Sequence, residues 1–127
     1  MSDFKEILQG SAEWHQARLG CLTASRANDA VAGKTTAAYQ NYLWQLVAER
    51  LTGQQEDSYT NADMLRGTEK EPIARAAYEA HTGNFVTQTG FWLHPTIQWL
   101  GASPDGLVDD DGLIEIKCPR TSTHLQY

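Results

Sequence analysis

The chain has 127 residues, enough for one domain with its own core. Its net charge of −6 with histidine neutral argues against a sequence-independent DNA coat but not against an enzyme that grips a few phosphates, and no apolar run is long enough to span a bilayer. Cys21 and Cys118 lie far apart without C-x-x-C spacing, which excludes a four-cysteine zinc or iron–sulfur centre and points to free thiols in a reducing cytoplasm.

Helices come first and strands second. Ser11 caps a short helix through Glu13, Trp14 and Arg18, which Gly20 ends. A second helix starts near Thr23 or Ser25 and runs to about Val31, followed by a Gly33-Lys34-Thr35-Thr36 loop. Thr36 opens a longer helix with Tyr39, Leu43, Leu46, Val47 and Leu51 at helical spacing, and Gly53 stands just past its end. Gln54 to Thr60 reads as a polar linker. Asn61 opens a fourth helix reaching His81-Thr82, with Gly83 as the stop and Pro72 as a kink or a new start. From Phe85 on, β-branched and aromatic residues give strands near Phe85–Thr89, Phe91–Leu93, Ile97–Ala102 and Leu113–Lys117. The fold class expected is α+β, a single domain over residues 1–127 with its N-terminal helices packed on one mixed β-sheet.

The most informative residues are Asp105, in Ser103-Pro104-Asp105-Gly106, and the Glu115-Ile116-Lys117 triplet. The acidic stretch Asp109 to Gly112 reads as a hairpin turn that sets Val108 opposite Leu113, so that Asp105 faces Ile116 within one residue. Alternation then puts Glu115 and Lys117 on one face and Ile114 and Ile116 toward the core. Two carboxylates with a main-chain oxygen make a hard, all-oxygen site suited to Mg²⁺, with Mn²⁺ as the other choice. A lysine beside them would face one scissile phosphate. A metal-dependent nuclease is the chemistry this pattern suggests, although a Pro-Asp-Gly turn and an exposed E-x-K pair are each ordinarily solvated surface.

Two further groups stand out. Glu71 and Arg75 are i,i+4 neighbours, ordinarily a surface ion pair. Glu71 also lies beside Pro72 and a small-residue face of Gly67 and Ala74, from which it could approach a metal closely. Arg18, followed by the hydroxyl-rich helix start Thr23-Ala24-Ser25, forms a candidate phosphate cradle.

In order, Trp14-His15-x-x-Arg18-Leu19-Gly20-x-x-Thr23-Ala24-Ser25, Gly67-x-x-x-Glu71-Pro72-x-Ala74-Arg75, Ser103-Pro104-Asp105-Gly106-Leu107 and Glu115-Ile116-Lys117-Cys118-Pro119 resemble the phage lambda exonuclease and YqaJ-like viral recombinase family of the PD-(D/E)xK nuclease class. The resemblance covers about residues 10–123. It implies a restriction-endonuclease-like core and a Mg²⁺-dependent 5′-to-3′ exonuclease that acts on linear double-stranded DNA ends in phage-type recombination. By the same resemblance Asp105, Glu115, the Ile116 carbonyl and Glu71 are metal ligands, and Lys117 orients or activates the attacking water. Arg18, Ser25 and Ser103 hold the 5′-phosphate, Arg120 is the nearest match to a further basic DNA contact, and Met64 or Leu65 is the strand-separating wedge. Where a relative carries another Asp, this chain has His94-Pro95, so His94 is a candidate replacement ligand; Thr123 stands at the position that matches the relatives' further basic residue, with His124 beside it. Partners implied are DNA ends, a phage single-strand annealing protein and a homo-oligomeric ring trimer, with no membrane, in a bacterial host or encoded by a prophage. Relatives continue beyond the position where this chain stops at Tyr127, so a C-terminally shortened member is expected. An inactive DNA-end or annealing-protein binding remnant and a structure-specific endonuclease are the alternative functions.

Overall fold

Side-chain caps set where two of the helices of this chain begin, and a glycine follows the end of each of its two longest. In the computed structural model, which describes residues 4–55 and 62–127, Ser11 is extended and its Oγ accepts the Trp14 N–H at 3.2 Å, opening α1 (Ala12–Arg18). Thr36 does the same through the Tyr39 N–H at 3.3 Å, opening α3 (Ala37–Thr52). Gly53, at φ +67°, closes α3 by donating its N–H to the Glu49 carbonyl at 2.9 Å. Between these helices lie β1 (Leu22–Thr23), a 3₁₀ turn (Ala24–Arg26) and α2 (Ala27–Ala30). The expected second helix is therefore two short pieces preceded by a strand that its sequence did not announce. Then come α4 (Ala62–Thr82), β2 (Val86–Thr87), β3 (Trp92–Leu93), β4 (Leu100–Ala102), β5 (Gly106–Val108), β6 (Gly112–Ile114) and α5 (Thr121–His124). The expected opening at Asn61 and most of the Gln54–Thr60 linker lie outside the described residues.

Pro72 neither breaks α4 nor restarts it; the helix is continuous over 21 residues. A mid-helix proline removes the bond to the carbonyl four residues back, here that of Thr68. Thr68 and Pro72 are both exposed, so the freed carbonyl is open to water and the rest of the helix carries the cost.

The chain divides into two compact units, Met1–Asp57 with Thr89–Pro104, and Ser58–Gln88 with Asp105–Tyr127. In the first, β4 is the central strand, parallel to β1 with Leu22 level with Leu100 and antiparallel to β3 with Trp92 level with Ala102. Phe91 and Tyr42 are its buried apolar residues. Tyr42 also accepts the Thr23 N–H on its Oη at 3.1 Å and lies under the Arg26 guanidinium. The apolar row expected along α3 is turned differently, with Tyr42 buried while Leu43 and Leu51 are exposed. In the second unit, β5 is central and antiparallel to both β2 and β6.

The single mixed sheet expected from the sequence is thus two three-stranded sheets, one mixed and one antiparallel. Both edges of β4 are taken by β1 and β3, and both edges of β5 by β2 and β6, so neither central strand has an edge left for the other. The α+β class itself holds. The hairpin register also differs by one residue: Val108 pairs with Gly112 rather than Leu113. Gly112 opens β6 instead of closing the turn, which leaves a three-residue loop in which Asp109 takes a positive φ of 54°.

Glycines separate close packing from open space. A Cβ on Gly101 would overlap the Phe91 ring and lie 2.9 Å from the Trp92 carbonyl, whereas one on Gly67, inside α4, would meet nothing within 4 Å. Gly101→Ala is expected to lower stability by about 2 kcal/mol through overpacking. Gly67→Ala should raise it by roughly 0.5–1 kcal/mol through helix propensity. Urea denaturation of both variants checks the contrast.

Candidate active site

The β5–β6 hairpin brings Asp105 level with the start of the Glu115-Ile116-Lys117 triplet. The Asp105 N–H donates to the Ile114 carbonyl at 3.1 Å, which carries the hairpin ladder one residue past the strand. The Ile116 N–H in turn donates to Asp105 Oδ2 at 2.6 Å. The two halves of the motif are therefore tied through main chain as well as side chain. Strand pairing stops at Ile114, short of the expected Lys117, yet the alternation continues: Leu113, Glu115 and Lys117 are exposed while Ile114, Ile116 and Cys118 are half-buried. On the exposed face Lys117 Nζ pairs with Glu115 Oε1 at 3.0 Å. That hydrogen bond raises the Lys117 pKa above the ordinary lysine value and keeps the ammonium charged.

Glu71, on α4, reaches the same carboxylate cluster. Burial first, and then the neighbouring Asp105 carboxyl, push its pKa up; Arg75 opposes this, and hydrogen bonding to Asp105 with the charge of Glu115 adds to the rise. Arg75 is buried. It donates Nη2 to Glu71 Oε1 at 2.8 Å and to the Asp105 carbonyl at 3.4 Å, and its Nε has no partner among the described residues. The pair read from spacing as a surface ion pair is thus a buried anchor of the acidic cluster. The close approach expected of the Gly67 face is not what positions Glu71, since Gly67 faces open space.

Asp105, Glu115, Glu71 and the Ile116 carbonyl are oxygen donors, the ligand type that a hard divalent cation takes. Burial and the neighbouring Asp105 raise the proton affinity of Glu71, and a bound cation would offset both. Among the described residues no three His, Cys, Asp or Glu side chains stand gathered as a preformed metal cage. Each carboxylate is instead tied to a partner in Ile116, Lys117 or Arg75.

Arg18, Ser25 and Ser103 all belong to the other unit. The Arg18 guanidinium stacks on Trp14 at 4.0 Å from the ring centre, and its Nε is buried without a partner among the described residues. Burial pushes its pKa down, against the pull of Tyr42 and Glu49. The Trp14 indole N–H also donates to Ser103 Oγ at 3.1 Å, so one aromatic ring fixes two of the candidate phosphate residues. Ser25 Oγ lies 3.3 Å from Thr23 Oγ1. His94, also in this unit, is exposed and accepts the Thr96 and Ile97 N–H groups on Nδ1 at 3.2 and 3.1 Å, which makes it a turn cap. Met64 and Leu65 are exposed in the first turn of α4. Arg120 is ion-paired with Asp63. The Trp14 contacts and the roles of Asp63 and Arg66 were missed from sequence; only the i,i+3 spacing of Asp63 and Arg66 signalled any of them.

An α+β fold carrying Pro104-Asp105 and Glu115-x-Lys117 on one hairpin defines the PD-(D/E)xK class. Residues 13–127 match the YqaJ-like viral recombinase domain, and the chain belongs to that family. Two solved structures are similar to it: LHK-Exo in complex with dAMP, 56% identical, and an alkaline exonuclease (LHK-Exo) from Laribacter hongkongensis, 55% identical, each with a TM-score of 0.84. In both cases the match covers 91% of this chain and 57% of the solved chain, so the chain spans little more than half the length of these relatives. No curated protein sequence matches.

Arg75→Met leaves Glu71 and Asp105 without their buried cation. The expected cost is about 2 kcal/mol, below the figure of roughly 3–5 for a fully buried pair because Glu71 is partly exposed. Denaturant midpoints for wild type and variant measure it.

Proposed function

We propose that this chain carries the catalytic machinery of a Mg²⁺-dependent 5′-to-3′ exonuclease that degrades linear duplex DNA from its ends to 5′-mononucleotides. The observation that carries this reading is the tie between Asp105 and Ile116, with Arg75 and Glu71 beside Asp105 and the Glu115–Lys117 pair following on the same segment. Membership of the YqaJ-like family supports it. The similar LHK-Exo structure holds dAMP, a nucleotide of the class that such a reaction releases.

Asp105, Glu115, the Ile116 carbonyl and Glu71 would hold the cation, with Mn²⁺ as a substitute for Mg²⁺. When bound, the cation supplies Lewis acidity toward the phosphodiester and lowers the pKa of water there. Lys117 places a fixed positive charge where negative charge develops on the phosphoryl oxygens. Its ion pair with Glu115 holds the ammonium in place while leaving further N–H donors for the substrate. Arg18, Ser25 and Ser103 bind the terminal 5′-phosphate, which gives digestion its direction. Because Ser103 Oγ accepts the Trp14 indole N–H, its own hydroxyl proton is left to point at an anion. Water attacks phosphorus, the bond to the 3′-oxygen breaks, and the proton is taken up by that oxygen. Met64 and Leu65, exposed on α4, part the terminal base pairs. A ring-shaped homotrimer and a single-strand annealing protein are the proposed partners, in the cytoplasm of a bacterial host. Among the described residues no helix is long and apolar enough to cross a membrane.

Release of acid-soluble nucleotide from 5′-phosphorylated linear duplex is expected with Mg²⁺, none with EDTA, and much less from 5′-hydroxyl ends. Asp105→Asn and Lys117→Ala should each abolish release, at least a hundredfold by the usual size of such electrostatic contributions, with an unchanged circular-dichroism spectrum. Cutting of closed circular DNA would point to an endonuclease. End binding in EDTA with no release in Mg²⁺ would reduce the chain to a binding remnant.

A further inference from the structure

Outside the acidic cluster, the second unit holds a second group of charges. Asp63, in the first turn of α4, receives two arginines: Arg66 Nη1 on Oδ1 at 2.9 Å and Arg120 Nη2 on Oδ2 at 2.7 Å. Arg66 Nη2 also donates to the Cys118 carbonyl at 3.4 Å. Arg66 and Arg120 thus come from elements 54 positions apart (120 − 66) and share one carboxylate, both oxygens of which are occupied. The hydrogen bonds from Arg66 and then Arg120 push the Asp63 pKa down, so it stays ionised. Two guanidiniums around one carboxylate leave a local net charge of +1 in a chain whose total is −6. Arg120 keeps about two-thirds of its side chain exposed, and of its planar fork of N–H donors only Nη2 is engaged among the described residues.

We propose that Arg66 and Arg120, held as a pair by Asp63, form a binding site for the phosphodiester backbone of a DNA strand. The inference rests on the nuclease reading above and adds Arg66 and Asp63 to it. A guanidinium fork matches phosphate oxygens in plane. Arg120 presents the open edge of such a fork, while Arg66, with both Nη groups engaged and its Nε buried, adds its charge; the shared Asp63 contributes one negative charge against their two positive ones. The contact reads charge rather than sequence, so it strengthens binding along the strand and is indifferent to the chemistry of the DNA end.

The test is fluorescence anisotropy of the full 127-residue chain on labelled linear duplex in EDTA, where no hydrolysis intervenes, titrated over a range of KCl. Arg66→Gln and Arg120→Gln are each expected to make the slope of log affinity against log salt shallower by about 0.9, and the double variant by about twice that. The change should be the same on 5′-phosphate and 5′-hydroxyl ends, unlike any change at Arg18. The Lys double variant keeps the point charges and is expected to keep the slope. Asp63→Asn removes the shared negative charge and is expected to tighten binding at low salt. If Asp63→Asn instead weakens binding as the Gln variants do, or if the Gln variants leave the slope unchanged, the trio is only a clamp on the segment after Cys118 and the inference is overturned. A wild-type chain that binds no duplex overturns the nuclease reading along with it.

Discussion

The bond from the Ile116 N–H to Asp105 Oδ2 is the constraint on which the acidic cluster depends. It fixes one Asp105 oxygen by a main-chain group that cannot swing away, and it does so at the point where ladder pairing has ended and only side chains continue the alternation. With that oxygen fixed, the Arg75 contact to the Asp105 carbonyl and the Arg75–Glu71 ion pair draw α4 onto the hairpin. Like-charged carboxyls can then share a small volume because a buried guanidinium lies beside them. The carboxyls are thus held by main-chain and guanidinium contacts rather than left free to separate.

The parts of the fold that were legible in the sequence are the local ones. Ser11, Thr36, Gly53 and Gly83 mark helix ends because a cap is a contact between residues three or four apart, and the structure places all four ends within a residue of that reading. The alternation of Glu115, Ile116 and Lys117 was equally local and survives even where the strand does not. Pairing was not legible. Whether β4 and β5 share a sheet depends on which strands claim their edges, and the two-residue β1 carries no periodicity that could announce it. The hairpin register turned on one glycine, read as turn and found as strand. The approach of Glu71 to Asp105 spans 34 positions (105 − 71) and that of Trp14 to Ser103 spans 89; only ordered motifs, not spacing, hinted at either.

The Ser103-Pro104-Asp105 sequence crosses the boundary between the two compact units. Ser103 is oriented by Trp14 within the first unit, and Asp105 is held by Ile116 and Arg75 within the second. Proline between them fixes one backbone angle and supplies no N–H. Ser103 and Asp105 are thereby anchored by separate sets of contacts, two positions apart.

The hairpin tip has a role at longer range. Asp109, Asp110 and Asp111 are three consecutive exposed acids, set by the length of β5 and β6 at the opposite end of the ladder from the Glu115–Lys117 pair. A polyanion drifting toward that tip meets repulsion over about a Debye length, near 8 Å at physiological salt. The loop therefore gathers three negative charges at the blunt end of the hairpin, while the Glu115–Lys117 pair lies past its other end.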